Sequence, residues 1–193
     1  MSQNTRLGQT PSQTVGPYFA YGITPTQYGY PFDSIAGPVL ADETVPGERI
    51  RIEGQIFDGQ GVAIADAIVE FWQADSTGTF ARPGANAGFT GIGRVGTGSD
   101  PAMQFAIETV KPGSIGIGQA PHINVIVQMR GLLNHLFTRI YFPENAEGNA
   151  TDPVLSEVPQ ERRNLLVARA MSSGVYRFDI HMQGENETPF FDF

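Results

Sequence analysis

From residue 49 onward the chain places apolar side chains at every second position, and that period commits it to strands. Ile50, Ile52, Gly54 and Ile56 share one phase, while Arg49, Arg51, Glu53 and Gln55 share the other. Successive side chains of a strand point to opposite faces, so this pattern gives one covered face and one wetter face. Met103, Phe105 and Ile107 alternate in the same way. Tyr176, Phe178, Ile180 and Met182, set against Arg177, Asp179, His181 and Gln183, form the cleanest alternation and predict an unbroken strand. Residues 66–74, 121–130 and 137–142 supply further strands; Ile68 and Trp72 stand opposite Val69 and Phe71, so both faces of the first are expected to be covered.

Turn signals separate these runs, at Asp58-Gly59-Gln60-Gly61 and at Lys111-Pro112-Gly113. The only helix-like stretch spans 159–168, with Glu161, Arg162 and Arg163 read as a solvated helix end. About seven strands joined by turns predict an all-β fold, a β-sandwich of mixed and antiparallel strands with very little helix. Residues 10–47 are different: rich in Pro, Gly, Tyr and Thr, and without either period. Their aromatics, including Tyr18, Phe19, Tyr21 and Phe32, argue against disorder. The expected division is an extended arm over 1–48 that packs on a partner chain, followed by a sandwich domain over 49–193.

With 193 residues the chain can bury a sizeable core, and its net charge of −8 argues against nucleic acid as a partner. There is no cysteine, which excludes disulfides and thiolate metal sites. The N-terminus is polar, and no apolar run approaches the roughly 20 residues of a membrane helix, so no membrane association and a cytoplasmic location are expected.

The chemistry concentrates at Pro121-His122-Ile123-Asn124. His122 and Asn124 share one face of a strand, where two histidines would make half of a metal site. An amide is a far weaker ligand than imidazole for a transition metal. No tyrosine occurs between Tyr30 and Tyr141. The words Thr10-Pro11-Ser12-Gln13-Thr14-Val15-Gly16-Pro17-Tyr18, Phe71-Trp72-Gln73-Ala74-Asp75, Lys111-Pro112-Gly113, Pro121-His122-Ile123-Asn124 and the ending Phe190-Phe191-Asp192-Phe193 follow in series. In this order and spacing the chain resembles the intradiol ring-cleaving dioxygenases over nearly its whole length.

That resemblance implies a β-sandwich core and, in the iron-bearing members, Fe(III) held by two tyrosinates and two histidines. Here His122 matches the first histidine, and Asn124 stands where the second belongs. Ser114-Ile115 replaces the tyrosine after Lys-Pro-Gly, and residues 76–89 offer no other. The resemblance therefore implies a vestigial metal site at His122 and Asn124, with no catalytic residue and no metal held by this chain. It further implies an alpha-type chain in a hetero-oligomer with an iron-bearing beta chain that carries the Fe(III) and cleaves protocatechuate with O2.

On the same ground Thr14, Gly16, Pro17, Tyr18 and Arg130 become a wall of the partner's substrate pocket. Gly16 admits close backbone approach, Pro17 stiffens the turn, and Tyr18 offers a flat ring with a hydroxyl. The Arg130 guanidinium suits the substrate carboxylate. Arg130 shares the phase of His122, but a straight strand would separate them by roughly 26 Å, so the two cannot serve one small-molecule site.

The remaining expectations are blander. Trp72 is read as core, His135 and His181 as surface or strand-face residues, and Arg139 and Arg177 as salt-bridge partners. The apolar C-terminus is expected to be buried against the partner or its own sandwich. Two other functions stay open: a stand-alone β-sandwich binding module, and a self-sufficient dioxygenase whose displaced ligands Tyr141, Tyr176, His135 and His181 converge.

Overall fold

The computed structural model describes residues 8–82, 88–116 and 118–192. Strand β1 (Arg49–Phe57) alternates as its sequence dictates, with Ile50, Ile52 and Ile56 buried. It pairs antiparallel with β4 (Gln104–Val110), which sets Ile52 opposite Ile107 and Gly54 opposite Phe105. On its other edge β1 pairs in parallel with β8 (Val175–Arg177) and β9 (Ile180–His181), and β7 (Arg169–Ser172) closes that sheet.

The strand expected over 176–183 is thus two short pieces, and Gly54 explains the break. A Cβ at Gly54 would lie 1.8 Å from the Phe178 carbonyl oxygen, so the Phe178 backbone enters space that only glycine leaves open. Phe178 N–H donates to the Glu53 carbonyl at 2.8 Å. The Asp179 carboxylate then takes over the role of a ladder carbonyl, accepting from Gln55 N–H at 3.0 Å and from Arg177 Nε at 2.7 Å. Arg177 is therefore the ion-pair partner its position predicts.

The second sheet has the order β3-β2-β5-β6, all antiparallel: β2 (Ile68–Trp72), β3 (Ile92–Gly96), β5 (His122–Gln128) and β6 (Leu136–Tyr141). Val69, Phe71, Ile123, Val125, Val127 and Ile140 meet the apolar phases of β1 and β4 in one core between the sheets. β3 is hidden in the sequence because glycines interrupt its apolar signal. Gly93 is needed there, since a Cβ would come within 2.3 Å of the Leu40 side chain.

Leu40 itself is fully buried in the main core. Its N–H donates to the Glu108 carbonyl at 2.9 Å, and Ala41 bridges to Phe89. The end of the segment preceding β1 therefore lies on its own sandwich. That segment is also not wholly extended: α1 (Phe19–Ile23) and a 3₁₀ turn (Pro25–Tyr28) lie within it. Gln27 ties the turn down by donating to the Gly96 carbonyl at 2.6 Å and accepting from Gly96 N–H at 2.8 Å.

After β6 come α2 (Ala146–Thr151) and α3 (Pro153–Glu157), neither visible as a period because each is a turn and a half long. The helix expected over 159–168 is a 3₁₀ helix, Gln160–Leu166. Its arginines are structural rather than simply solvated: Arg162 donates to the Glu187 carbonyl at 2.8 Å, and Arg163 to those of Val158 and Ser156 at 2.8 and 2.7 Å. Phe190 packs on the main core, and Phe191 on a smaller cluster with Tyr141, Leu155 and Leu166. Phe193, part of the same expectation, lies outside the described residues.

Candidate functional site

Alternation along β5 sends Ile123, Val125 and Val127 into the core and turns His122, Asn124 and Ile126 to the outer face of the second sheet. The β5–β6 register then sets Tyr141 opposite His122 and Arg139 opposite Asn124. Arg139 Nε donates to Asn124 Oδ1 at 3.1 Å, and its Nη1 lies 3.4 Å from both Gln119 Oε1 and the Tyr141 hydroxyl. The Tyr141 hydroxyl in turn donates to Asp152 Oδ1 at 3.0 Å. Asp152 is fully buried; it caps α3 through Val154 and Leu155 N–H and accepts from Ala120 N–H at 2.9 Å.

This group offers a ferric centre a single imidazole nitrogen and no phenolate, with a guanidinium alongside. His122 Nδ1 lies 2.8 Å from the Ala120 carbonyl, which can only accept, so Nδ1 carries the proton; Nε2 is buried without a partner among the described residues. Burial, followed by the nearby Arg139 charge, lowers the His122 pKa to about 4. Burial raises the Tyr141 phenol above its ordinary value, so it remains a phenol and not a phenolate. The Asn124 oxygen is already taken by a fixed cation. Among the described residues no group of three or more His, Cys, Asp or Glu side chains could hold a metal. The residues present do not fit iron.

Next to this group lies a cavity of about 540 Å³ on the outer face of the sheet. Trp72, Phe80, Ile92, Ile115, Ile126 and Phe137 supply its apolar walls, while Arg139, Asn124 and Gln119 supply most of its polar wall. Trp72, expected in the core, is instead 49 % exposed, with its ring stacked on Phe80 at 4.6 Å between centroids. Its phase in β2 faces outward, and the apolar signal there belonged to a cavity wall. Arg139 also departs from expectation: it is 9 % exposed, and no carboxylate of the described residues lies within ion-pair distance.

At the other end of β5 the arm returns to the sheet. Thr14 Oγ1 accepts from Gly131 N–H at 2.9 Å, which brings the Thr14–Tyr18 corner beside the turn carrying Arg130. Arg130 is 57 % exposed at its side chain and paired with Asp66. Gly16 and Pro17 are exposed, with nothing near a Cβ position at Gly16, and Tyr18 is 75 % exposed beside Tyr21. The sequence-predicted residues thus fall into two groups: His122 and Asn124 at one end of β5, and the arm corner with Arg130 at the other.

The displaced-ligand set does not converge. Tyr141 is engaged with Asp152, and Tyr176 with Lys111 and Glu144. His135 packs edge-on to Phe137, whereas His181 stacks on Phe57. Sequence reasoning missed Arg139, Gln119, Phe80 and Ile115 as walls of one cavity. Only the opposite phase of β6 relative to β5 could have paired Arg139 with Asn124.

A family model described as Dioxygenase matches residues 15–184. The chain belongs to the intradiol dioxygenase family. It is 53 % identical over 195 residues to the protocatechuate 3,4-dioxygenase alpha chain of Burkholderia cepacia, covering 97 % of this chain and 99 % of that one. It is 28 % identical over 162 residues to the protocatechuate 3,4-dioxygenase beta chain of the same organism, covering 74 % and 68 %. Among solved structures, the intradiol ring-cleavage dioxygenase from Tetranychus urticae shares its fold, with a TM-score of 0.61 at 18 % identity over 91 % of this chain and 94 % of that one. Within this intradiol dioxygenase sandwich, the outer face of the second sheet carries a guanidinium where the family resemblance leads one to expect metal ligands.

Proposed function

We propose that the chain is the iron-free alpha subunit of a protocatechuate 3,4-dioxygenase, acting as a wall for an active site in a beta partner. The observation that supports this most is the near end-to-end similarity to an alpha chain, in an organism that also has a beta chain similar to this one. The complex opens the ring of 3,4-dihydroxybenzoate between its hydroxylated carbons; both atoms of O2 enter the product, 3-carboxy-cis,cis-muconate. Ferric iron in the beta chain supplies the activation of the catechol toward oxygen.

This chain's part is binding and exclusion. Gly16 and Pro17 give a stiff, narrow corner that a neighbouring pocket can close against, and Tyr18 covers it with an aromatic face. The Thr14–Gly131 hydrogen bond holds that corner to the Arg130 turn. In the assembled pocket Arg130 exchanges Asp66 for the substrate carboxylate, which favours anionic catechols over neutral ones. Residues 8–36 supply the aromatic surface that docks on the partner, where Tyr18, Tyr30, Phe32 and Ile35 stand exposed. No helix among the described residues is long and apolar enough to cross a membrane, which is in keeping with a cytoplasmic complex.

Oxygen uptake with protocatechuate tests the reading. The chain alone is expected to be inactive, the beta partner alone weak or unstable, and the mixture active. Turnover by the isolated chain would make it a self-sufficient enzyme. A chain that never changes the partner's activity would be a binding module instead.

A further inference from the structure

We propose that the cavity on the outer face of the β3-β2-β5-β6 sheet is a binding site for a small aromatic carboxylate, anchored by Arg139 and without chemistry of its own. At about 540 Å³ the cavity is of the size that proteins use for small molecules, and ample for one substituted ring. Its walls are mainly apolar, and the Trp72–Phe80 stack offers an aromatic face for a ring to pack on. Trp72 and Ile92, half exposed, mark the side from which a ligand enters.

The polar end of the cavity specifies charge. Arg139 spends its hydrogen bonds on three neutral groups, Asn124, Gln119 and Tyr141, and its Nη2 has no partner among the described residues. The one carboxylate in the lining, Glu70, is already held by Arg94 at 2.6 Å. Asp152 reaches Arg139 only through the Tyr141 hydroxyl. A nearly buried guanidinium without a direct counter-ion, in a chain of net charge −8, is a costly arrangement that a ligand carboxylate relieves. The planar fork suits a carboxylate, and the aromatic walls require the rest of the ligand to be a flat apolar ring. No catechol hydroxyls are needed, which distinguishes this site from a ring-cleaving one. The inference stands whether or not the chain assists catalysis in a partner.

Trp72 is the only tryptophan of the chain, so its emission reports on the cavity directly. The full-length chain is titrated with benzoate, and with benzyl alcohol as the neutral counterpart, with calorimetry giving the stoichiometry. Benzoate is expected to change Trp72 emission saturably at one site per chain, and benzyl alcohol to bind at least about tenfold more weakly, the worth of one charge-assisted contact. Arg139→Gln is expected to weaken benzoate by a similar factor. Should that variant fail to fold, Ile92→Asp at the exposed rim decides, since a second negative charge there weakens benzoate while the fold is left intact. Arg169→Gln, an exposed cation on β7 of the other sheet, leaves the titration unchanged. Absence of a saturable signal in the folded wild-type chain, equal affinity for the alcohol, or benzoate binding insensitive to Ile92→Asp would each overturn the proposal.

Discussion

Across β5 and β6, Arg139 Nε donates to the Asn124 amide oxygen at 3.1 Å, so a fixed positive charge holds the position where a second histidine would face a metal. Losing a ligand and gaining a guanidinium act in the same direction. Repulsion from Arg139 adds to the penalty of desolvating a ferric ion, and the amide oxygen, a weak ligand to begin with, already accepts from that guanidinium.

Restoring the missing imidazole alone is therefore not expected to restore a site. Asn124→His should bind no stoichiometric ferric iron and develop no tyrosinate-to-iron absorption, because Arg139 stays and no tyrosine between Tyr30 and Tyr141 is there to supply a phenolate. The variant should also lose about 1 kcal/mol from the broken Arg139 hydrogen bond, read by urea unfolding. A coloured, iron-replete single variant would contradict this.

Gly54 predicts a large effect from a small change. Gly54→Ala puts a methyl group 1.8 Å from the Phe178 carbonyl oxygen, so β1 and the 178–179 bend must separate. The Phe178–Glu53 and Gln55–Asp179 hydrogen bonds go with them. The expected cost is at least about 3 kcal/mol, the upper end of overpacking, seen as a lower midpoint in denaturant. A midpoint within error of wild type would show that the bend does not depend on Gly54.

Gly54 also marks the limit of what alternation conveys. The alternation of β1, β4 and β5 could be read because each strand is half covered, and core burial imposes period two on such strands. The same pattern over 176–183 concealed a bend, since that bend keeps the phase while the Asp179 side chain replaces a backbone partner. β3 went unseen because Gly93 and Gly96 remove the side chains that would carry a period. The site was legible in its deficits, as a missing histidine and missing tyrosines. Its positive content was not: Arg139 belongs to a different strand from Asn124, and only the β5–β6 register joins them. Trp72 was misjudged because a cavity wall and a core position look alike in one dimension.

His122 gives the protein a stability that depends on pH. Its pKa in the folded chain is lowered to about 4, first by burial and then by Arg139. Between the ordinary value near 6.5 and about 4, the unfolded state binds a proton that the folded state refuses. Stability therefore falls as the pH falls through that window, by a total on the order of 3 kcal/mol, and is unaffected by this group above it. His122→Gln should lose this part of the slope when unfolding is measured from pH 7 down to 4. Parallel slopes for the two proteins would assign the acid sensitivity elsewhere.

Arg130 tests the pocket wall. In the assembled enzyme Arg130→Ala should raise the KM for protocatechuate by about tenfold or more, the loss of a charge-assisted contact, and change that for catechol little. Equal effects on both substrates would leave Arg130 as a partner of Asp66 and nothing else.

In the proposed role this chain holds no iron and lends its surface to a chain that does. Metal analysis of the purified chain alone and of the purified alpha-beta complex measures it directly. No bound iron is expected in the isolated chain, and one iron for each alpha-beta pair in the complex. Stoichiometric iron in the isolated chain, or two irons for each pair, would contradict it.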